Sequence, residues 1–450
     1  MNRFYQEMQL SGDVWLGEVP SLWKSYRIKD ITLLSPNFSN GAPDKKELCS
    51  VIPMEKVSEK GVVTSNNVEE YSLITSGLTN FEAGDVIFAK ITPCMENGKG
   101  AYVEKLPVQY ALGSTEFHVL RPRYMVDGKF LYYYTYNSVY RDYAEVNMTG
   151  AAGQKRVSSR FINYTRIFLP NTQVQQRIAA YLNKTCAAID KTIEAKQKQL
   201  EILDALRKSI IHKAVTRGLD DSVELKDSGV EWLGRIPRHW EVTKLKKQCE
   251  IIPSNVDKKS HDDEMEVKLC NYVDVYYNDF IDDSIEYMIA TASEHELRKF
   301  QLVENDVLIT KDSEDPFDIA VPAIVIKSQA KLLCGYHLSI IRSNNRNLIG
   351  IYLFWALKNR FIASQLHREA TGITRWAIAN KHVKNSIIPL PPREEQSKIA
   401  YFLNGKISEI QNIKKNIQNQ ISTLNQYRKS LIHECVTGKR RINEDLSSSK

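Results

Sequence analysis

Two stretches of this sequence each occur twice, and this internal repeat restricts the possible folds more than any other feature. The decapeptide SGDVWLGEVP at 11–20 returns as SGVEWLGRIP at 228–237. The stretch 169–216 returns at 390–437, whereas the sequences between these anchors differ strongly. Self-similarity at a fixed spacing is the signature of repeated structural units. We therefore expect two halves, each made of a variable globular domain followed by a shared C-terminal segment.

The shared C-terminal segment has the periodicity of a coiled coil. Ten positions spaced alternately by four and three residues run from Leu182 to Ala214 and again from Leu403 to Cys435, and eight of the ten are apolar in each copy. Such a seam predicts one long helix of about 46 residues, roughly 70 Å, in each half. The polar exceptions are one lysine and one arginine per copy, namely Lys196, Arg207, Lys414 and Arg428. For the two arginines, the simplest interpretation is that they extend from the seam edge into solvent.

Two such helices in one chain could pair in parallel or antiparallel. Parallel pairing would place both variable domains at one end, whereas antiparallel pairing would place them at opposite ends under an approximate two-fold axis. Duplex DNA has dyad axes perpendicular to its helix, so the antiparallel arrangement would face two half-sites equivalently. We therefore expect an α+β fold, in which two mixed α/β domains are joined by two long helices that form an antiparallel coiled coil with an internal pseudo-two-fold repeat.

The repeat also predicts the domain boundaries. We expect the first variable domain at 1–168 and the first long helix at 169–220. The second variable domain is expected at 221–389 and the second long helix at 390–441. A disordered tail is expected at 442–450.

Basic residues are concentrated in the two helical segments. The stretches 171–219 and 391–441 hold nine and ten Lys and Arg, against four Asp and Glu in each, so the rest of the chain is slightly acidic although the net charge is +7. A basic spine between near-neutral domains suits a polyanionic partner, and two solvated helices with ordinary lysines are the alternative. Lys414 and Lys415 are the positions where we expect contact with phosphate or with a partner protein.

Two pairs of polar loops in the variable domains are candidates for base recognition. The first loop of each pair follows a predicted strand, at 90–99 in the first half and at 311–315 in the second, and we call these the post-strand loops. Asn, Lys and carboxylate side chains can address the major-groove edges of adenine, guanine and cytosine. The candidate DNA-binding residues of these loops are Lys90, Thr92, Asn97, Lys99, Lys311, Asp312 and Ser313.

The second loop of each pair begins with a Thr-Gly dipeptide, at 149–156 and 371–376, and we call these the Thr-Gly loops. Their basic side chains suit phosphates as well as bases. The candidate DNA-binding residues here are Lys155, Arg156, Arg375 and Trp376. Aromatic residues in the neighbouring helical segments are expected in the core and not stacked on bases, namely Tyr132, Tyr133, Tyr136 and Trp355.

Motifs of nucleotide and base chemistry are missing from the sequence. We find no P-loop and no Asn/Asp-Pro-Pro-aromatic tetrapeptide of the kind that holds an extruded adenine in a methyltransferase. Glu266 and Lys268 imitate the E-x-K of a metal-dependent nuclease strand, but the first half has no counterpart. We therefore predict no catalytic residue and no metal site, and expect that the chain is not an enzyme.

The cysteines and the hydropathy pattern indicate a cytoplasmic protein. The seven cysteines are scattered without a C-x-x-C pair, which argues against a zinc finger or a disulfide framework and favours a reducing compartment. The sequence contains no run of eighteen apolar residues, so no transmembrane helix is predicted. Residues 1–10 lack the features of a signal peptide. We expect no membrane partner.

The order of variable domain and long helix, repeated twice, resembles the specificity subunits of type I restriction-modification systems. The stretch 84–101, GDVIFAKITPCMENGKGA, also resembles one subclass of their target-recognition domains. Together the matching phrases cover nearly the whole chain. They are SGxxWLGxxP at 11 and 228, LPxxxxQxxIAxxLN at 169, LPPREEQ at 390, and RKS[IL]IHxxVT at 207 and 428.

The resemblance implies that each variable domain is a target-recognition domain that reads one part of a split site in double-stranded DNA, and that the helices set the spacer. It further implies that two methylation subunits dock on the chain and that restriction subunits join them in phage defence. No cofactor is expected in this chain, because S-adenosylmethionine, ATP and magnesium would belong to those partners. A fused single-chain nuclease or methyltransferase and a solitary DNA-binding or scaffold protein are the alternative functions.

Overall fold

The computed structural model describes residues 5, 7–64, 67–74, 77–151, 153–344 and 346–442. The chain divides into two compact units, each of which includes a part of both long helices. Unit 1 comprises the residues up to Lys196 and those from Gln418 onward, and unit 2 comprises Gln197–Ile417. Of the predicted tail at 442–450, all residues except Ile442 lie outside the described part of the chain.

Unit 1 contains a variable domain that is rich in short strands. Its strands are β1 (Met8–Leu10), β2 (Glu18–Pro20), β3 (Lys24–Arg27), β4 (Thr32–Leu34), β5 (Leu48–Ile52), β6 (Val68–Glu70), β7 (Thr79–Phe81), β8 (Val86–Ala89), β9 (Gly100–Tyr102), β10 (Tyr110–Gly113), β11 (Phe117–Pro122) and β12 (Arg166–Leu169). Its helices are α1 (Ile28–Ile31), α2 (Gly128–Tyr136), α3 (Ser138–Val146), α4 (Ser159–Tyr164) and the first part of the long α5 (Thr172–Arg217).

Two four-stranded sheets form the body of unit 1, with strand orders β6-β5-β10-β7 and β4-β11-β8-β9. Every residue of β8 is buried, and β8 pairs antiparallel with β11 so that Ala89 lies opposite Phe117. The apolar sequence VIFA explains this burial, because a strand covered on both faces has no polar alternation. The chain turns out of the sheet after Ala89, and this turn positions the post-strand loop.

Unit 2 begins within α5 and repeats the same plan with different strands. Its strands are β13 (Leu225–Asp227), β14 (Arg235–Pro237), β15 (Glu241–Lys244), β16 (Cys249–Pro253), β17 (Met265–Cys270), β18 (Phe280–Ile281), β19 (Met288–Ala292), β20 (Val307–Thr310), β21 (Asp312–Ser313), β22 (Pro322–Val325), β23 (Leu332–Cys334), β24 (Leu338–Ser343), β25 (Thr371–Gly372), β26 (Trp376–Ala377) and β27 (Ile387–Leu390). Its helices are α6 (Tyr272–Tyr277), α7 (Glu294–Phe300), α8 (Gly350–Leu357), α9 (Arg360–Arg368), α10 (Asn380–Asn385) and the first part of the long α11 (Arg393–Val436).

The main sheet of unit 2 has the order β16-β24-β20-β22-β18, and a second sheet has the order β19-β17-β23. Strand β20 is buried along its whole length and pairs antiparallel with β24, with Thr310 opposite Leu338. β20 therefore takes the place that β8 has in unit 1. A small three-stranded sheet has the order β21-β26-β25 and contains the two predicted loops of unit 2. Its strand β21 follows β20 directly in sequence, whereas β25 and β26 come from the Thr-Gly loop.

Large aromatic side chains fill the cores on the side of the long helices. The predicted core aromatics Tyr132, Tyr133 and Trp355 are buried and Tyr136 is half-buried, which confirms the prediction. The repeated SGxxWLG segment connects the two strands of a β-hairpin in both units, β1 with β2 and β13 with β14. A buried tryptophan follows each hairpin, Trp23 in unit 1 and Trp240 in unit 2.

In each unit, a segment of α5 runs beside a segment of α11. In unit 1, Lys196 Nζ lies 2.5 Å from Gln420 Oε1, and Asp190 Oδ1 lies 3.5 Å from Arg428 Nε. Residue numbers therefore fall on α5 while they rise on α11, so the segments are antiparallel. All ten seam positions of each copy are buried or half-buried, which confirms the predicted α+β fold with its antiparallel coiled coil. Neither of these helices, nor any other that the structure describes, is long and apolar enough to cross a membrane.

Candidate nucleic-acid interface

In unit 1, the post-strand loop and the Thr-Gly loop lie side by side. The backbone N–H of Thr92 donates to the carbonyl of Lys155 (3.0 Å), and the N–H of Val157 donates to the carbonyl of Lys90 (2.9 Å). Ile91 and Arg156 also form an antiparallel bridge. These contacts join two loops that are more than fifty residues apart in sequence. Two loops that are predicted to contact the same DNA must lie close together in this way.

Arg156 is held in place by a carboxylate that immediately precedes strand β11. Its guanidinium donates to both oxygens of Glu116, with the shortest contact at 2.7 Å. The hydrogen bond from Arg156 lowers the pKa of Glu116, so the carboxylate stays ionised. A two-pronged pair of this kind fixes the orientation of the guanidinium. Arg156 therefore stands at the loop junction as an oriented cation whose charge is already partly compensated.

The post-strand loop of unit 1 is fastened to helix α3. Arg141 Nη1 donates to the carbonyl of Glu96 (3.0 Å), and a Cβ on Gly98, whose φ is +81°, would lie 2.1 Å from the same nitrogen. Only glycine fits this close approach and this backbone conformation. The loop consequently presents Asn97 to solvent, whereas Lys99 is half-buried with its Nζ 3.5 Å from the carbonyl of Met54.

A polar cavity of about 440 Å³ opens beside the loop junction of unit 1. Lys90, His118 and Arg156 line it together with small polar residues. His118 is only 3% exposed and its Nε2 lies 2.8 Å from the carbonyl of Val157. Burial lowers the pKa of His118 to about 4, so its imidazole is neutral at physiological pH and donates the Nε2 proton to that carbonyl. The cationic lining thus comes from Lys90 and Arg156.

In unit 2, the corresponding loops are joined by regular strand pairing. Asp312 lies opposite Ala377 and Ser313 lies opposite Trp376 in the pair β21–β26. Strand β25 pairs with the other side of β26. The structure therefore brings the predicted loops together in both units, by isolated bridges in unit 1 and by a small sheet in unit 2.

Asp312 is the centre of an ion-pair cluster in unit 2. Its Oδ1 lies 2.6 Å from His337 Nδ1 and 2.7 Å from Arg375 Nη2. Burial lowers the pKa of His337, against the opposite effect of Asp312. Since its carboxylate already binds Arg375, Asp312 orients the arginine in the way that Glu116 orients Arg156 in unit 1.

The other two candidates of the second post-strand loop are also engaged with the protein. Lys311 Nζ donates to the carbonyl of Ser254 (2.6 Å), and burial lowers its pKa. Ser313 is buried and its Oγ accepts a hydrogen bond from Tyr272 (3.2 Å). Of the candidate residues in unit 2, Arg375 of the Thr-Gly loop is exposed and Trp376 is half-buried, and Glu314 of the post-strand loop is also exposed.

Sequence reasoning did not find the residues that hold the loops. Glu116, Arg141 and His337 lie outside the loops themselves, and nothing in their spacing connects them to the residues that they contact. His118 left a signal, because it interrupts the apolar run of strand β11. A polar side chain within a fully buried strand requires a partner, and that requirement indicates a site.

The seam arginines differ from the prediction. Arg428 is 12% exposed and its Nη1 lies 2.5 Å from the hydroxyl of Tyr136. Arg207 lies 3.6 Å from Asp279. The interpretation that both extend into solvent is wrong, because the variable domain of each unit supplies a hydrogen-bonding or acidic partner on that side of the helix. Lys414 is likewise paired, with Asp204 at 2.5 Å, so it is not a free phosphate contact.

Solved structures with the same architecture define the class of this fold. One chain, from a structure that describes complex assembly and conformational transition of the type I R-M system, has a TM-score of 0.73 at 16% identity and covers 93% of this chain and 98% of its own. The HsdS subunit from Thermoanaerobacter tengcongensis has a TM-score of 0.55 at 17% identity and covers 94% and 98%. The duplicated α+β fold with paired long helices is therefore the fold of these subunits.

The sequence matches the family described as type I restriction modification DNA specificity domain twice, at 20–203 and at 237–423. The chain belongs to this family. The putative type I restriction enzyme MjaX specificity subunit of Methanocaldococcus jannaschii is 23% identical over 460 residues, and 98% of each chain is covered. The EcoAI specificity subunit of Escherichia coli is 30% identical over 226 residues, which are 50% of this chain and 37% of that protein. The chain thus matches under two-fifths of the length of that relative.

Proposed function

We propose that this chain is the non-catalytic DNA-recognition subunit of a type I restriction-modification enzyme. Each variable domain reads one half of a bipartite DNA site, and the paired helices set the spacer. The observation that carries the proposal is the recurrence of one arrangement in two units of different sequence. In both units a post-strand loop and a Thr-Gly loop meet at the end of a buried strand, and a carboxylate holds an arginine at the junction.

The exposed groups of these loops suit recognition of duplex DNA. Asn97 offers an amide that can pair with the adenine edge in the major groove. Arg375, whose Nε and Nη2 donate to Asp312, offers Nη1 to guanine or phosphate. Lys155 is exposed and suits a phosphate contact. The candidate residues whose side chains are bound within the protein, Lys311, Asp312 and Ser313, act by shaping the loop. Lys90, Thr92, Lys99, Arg156 and Trp376 are half-buried and flank the exposed groups.

The helices suit the role of a ruler because each variable domain is fixed to both of them within its own unit. In unit 1, Asp127 donates its backbone N–H to Gln175 of α5 (2.8 Å), and Asn137 lies 3.2 Å from His433 of α11. A domain that is anchored to two paired helices cannot move along them independently. The length of the helices then determines the number of base pairs between the two half-sites.

The proposal includes partner subunits that carry the chemistry. Two methylation subunits dock on the chain and bind S-adenosylmethionine, and restriction subunits that use ATP and magnesium join them. The family membership supports these partners, as does the fold that the chain shares with a component of the type I R-M system whose complex assembly has been described structurally. Lys415, which is exposed on α11, belongs to the surface available for them or for phosphate.

Exchange of one variable domain tests the proposal. Residues 20–165 are replaced with the equivalent domain of a relative, the chain is expressed with its methylation subunits, and methylated sites are sequenced. One half of the split motif should change and the other should stay. The reciprocal control replaces 237–388 and should change only the other half. If either exchange altered the bases in both halves of the motif, the two domains would not read the DNA independently. If the unaltered chain showed no sequence preference, the proposal of DNA recognition itself would be contradicted.

A further inference from the structure

The Thr-Gly loop of unit 2 is a tight and well-supported hairpin. Strands β25 and β26 pair with Gly372 opposite Trp376, and a Cβ on Gly372 would lie 2.1 Å from the carbonyl oxygen of Arg375. Only glycine allows the two strands to approach this closely. The second strand also pairs with β21, and Arg375 is bound to Asp312. The three residues at the tip, 373–375, are therefore displayed on a rigid base.

The tip of this hairpin carries a large apolar side chain in a polar setting. Ile373 is 93% exposed, and it lies two residues before the oriented Arg375. A single exposed apolar residue is ordinary on a protein surface, but this one lies at the tip of a hairpin whose base also holds the oriented Arg375. As a β-branched residue it is stiff about χ1, so it loses little freedom when a partner covers it.

We propose that Ile373 is a specificity-determining residue that contacts the 5-methyl group of a thymine in the major groove. The inference rests on the proposed function, since it assumes that unit 2 reads DNA. Thymine is the one base that displays a methyl group in the major groove, and apolar side chains recognise it by contact. Arg375 binds a neighbouring phosphate or guanine edge and brings the tip of the hairpin into the groove.

The Thr-Gly loop of unit 1 lacks this feature among its described residues. Thr149 and Arg156 close a longer loop, and the residues described between them are small or polar: Gly150, Ala151, Gly153, Gln154 and Lys155. The contact with a thymine methyl is therefore expected in the half-site of unit 2 and is not expected from this loop in the half-site of unit 1.

Uracil substitution tests the contact directly. The recognition sequence is taken from the methylated sites, and each thymine of the two half-sites is replaced in turn by deoxyuridine, which lacks only the methyl group. Binding is measured with the chain assembled with its methylation subunits. At one position of the unit 2 half-site, uracil should weaken binding by about fourfold, the value for burial of one methyl group. Ile373→Ala should bind thymine and uracil DNA equally at that position and leave the other positions unchanged.

Two controls separate the contact from general effects. Val14 is fully exposed on the β1–β2 hairpin of unit 1, so Val14→Ala should keep the uracil penalty of the unaltered protein. The melting temperature of the Ile373→Ala assembly should be unchanged, because the side chain is exposed. The proposal fails if the variant keeps the same uracil penalties, or if the unit 2 half-site contains no thymine on either strand. Loss of sequence-specific binding by the unaltered assembly would instead defeat the proposed function.

Discussion

The two units are most alike where the variable domain meets the long helices and least alike where the polar loops leave the sheet. Gln175, buried at the start of α5, donates to two backbone carbonyls and accepts from the N–H of Asp127. Gln396, its counterpart in α11, makes the same three kinds of hydrogen bond and accepts from the N–H of Ile349 (3.0 Å). The glutamine is therefore retained in both copies of the repeat, because the buried backbone groups that it contacts depend on its amide for their hydrogen bonds.

The loops show the opposite pattern, because the same task is performed by different residues. Arg156 is held by Glu116, which precedes strand β11, whereas Arg375 is held by Asp312 within the post-strand loop itself. The arginine is placed at the junction in both units, but the source of the carboxylate has changed. The loops thus differ in sequence between the units, but each unit retains an ion pair that orients the arginine.

Lengthening the helices should change the spacer between the half-sites of the two units, and it has the largest expected effect on function. One heptad inserted after Gln199 and one after Gln420 keep the seam in phase and lengthen the pair by about 10 Å. Methylated sites should keep both half-motifs and gain up to about three base pairs of spacer. A heptad in only one helix should abolish methylation. An unchanged spacer with full activity would show that the helices do not determine the spacing.

A buried Asp–Arg pair recurs in the two units, and breaking it should cost somewhat less in unit 1, where Glu82 also lies 3.0 Å from Arg121. Asp306 and Asp85 are each 1% exposed and bind Arg342 and Arg121 at 2.7 and 2.8 Å. Replacing either aspartate with alanine leaves a charged arginine partly buried and should lower the free energy of unfolding of its unit by about 3–5 kcal/mol. Hydrogen exchange of each unit measures the loss. Glu304→Ala, at an exposed position, is the control, and a similar effect there would contradict the argument.

Breaking the glutamine contacts should lower the free energy of unfolding by somewhat less, because no buried charge is left without its partner. Gln396→Leu and Gln175→Leu each remove hydrogen bonds from buried backbone groups, which should lower the free energy of unfolding by about 2–3 kcal/mol. Urea denaturation, followed separately in each unit by hydrogen exchange, measures the change. Gln411, exposed on α11, supplies the control Gln411→Leu. A loss confined to one of the two buried positions would show that the repeat does not preserve this contact energetically.

Acid should destabilise unit 1 through His118, a buried histidine that unit 2 lacks at the matching position. His118 has a pKa of about 4, and Ser339 of β24 is its counterpart in unit 2 by the repeat. The unfolded chain binds a proton near pH 6.5 but the folded unit does not, so stability falls as the pH decreases from about 6.5 towards 4. The loss at pH 5 should be about 2 kcal/mol in unit 1.

His118→Ser tests this assignment by copying unit 2. The variant should be less stable at pH 7 but should lose less stability between pH 7 and pH 5 than the unaltered protein, as hydrogen exchange of unit 1 would record. His433 of unit 1 and His212 of unit 2 occupy matching positions of the repeat, and burial lowers the pKa of each. These two contributions are therefore matched between the units. Burial also lowers the pKa of His337 in unit 2, so the comparison that isolates His118 is the one between the variant and the unaltered protein. An acid dependence that is equally steep in the variant would rule out His118 as the source of the difference.

The fold was predictable because its determinants are periodic or repeated. The spacing of Leu182 to Ala214 specifies a seam, and the second copy of that spacing specifies its partner. The orienting partners of the loops were not predictable, because Glu116 and Arg156 are far apart in sequence and meet only after β8 and β11 have paired. Arg428 was misjudged for the same reason, since its contact with Tyr136 depends on how the domain packs on the helix. Local patterns record periodicity, whereas such contacts depend on tertiary structure.

Two side chains of unit 1 should separate base reading from phosphate binding, with the smallest effects expected here. Asn97 is exposed on a loop whose backbone is fixed by Arg141, so Asn97→Ala should relax one position of one half-motif by about tenfold. Lys155 is exposed on the adjoining Thr-Gly loop, and Lys155→Ala should weaken binding to all sequences alike and reduce the salt slope by about one. Binding is measured at several salt concentrations with cognate and singly altered DNA. If Asn97→Ala instead weakened binding to all sequences alike, as Lys155→Ala should, the post-strand loop would contact only the DNA backbone. Base recognition in unit 1 would then take place elsewhere on its surface.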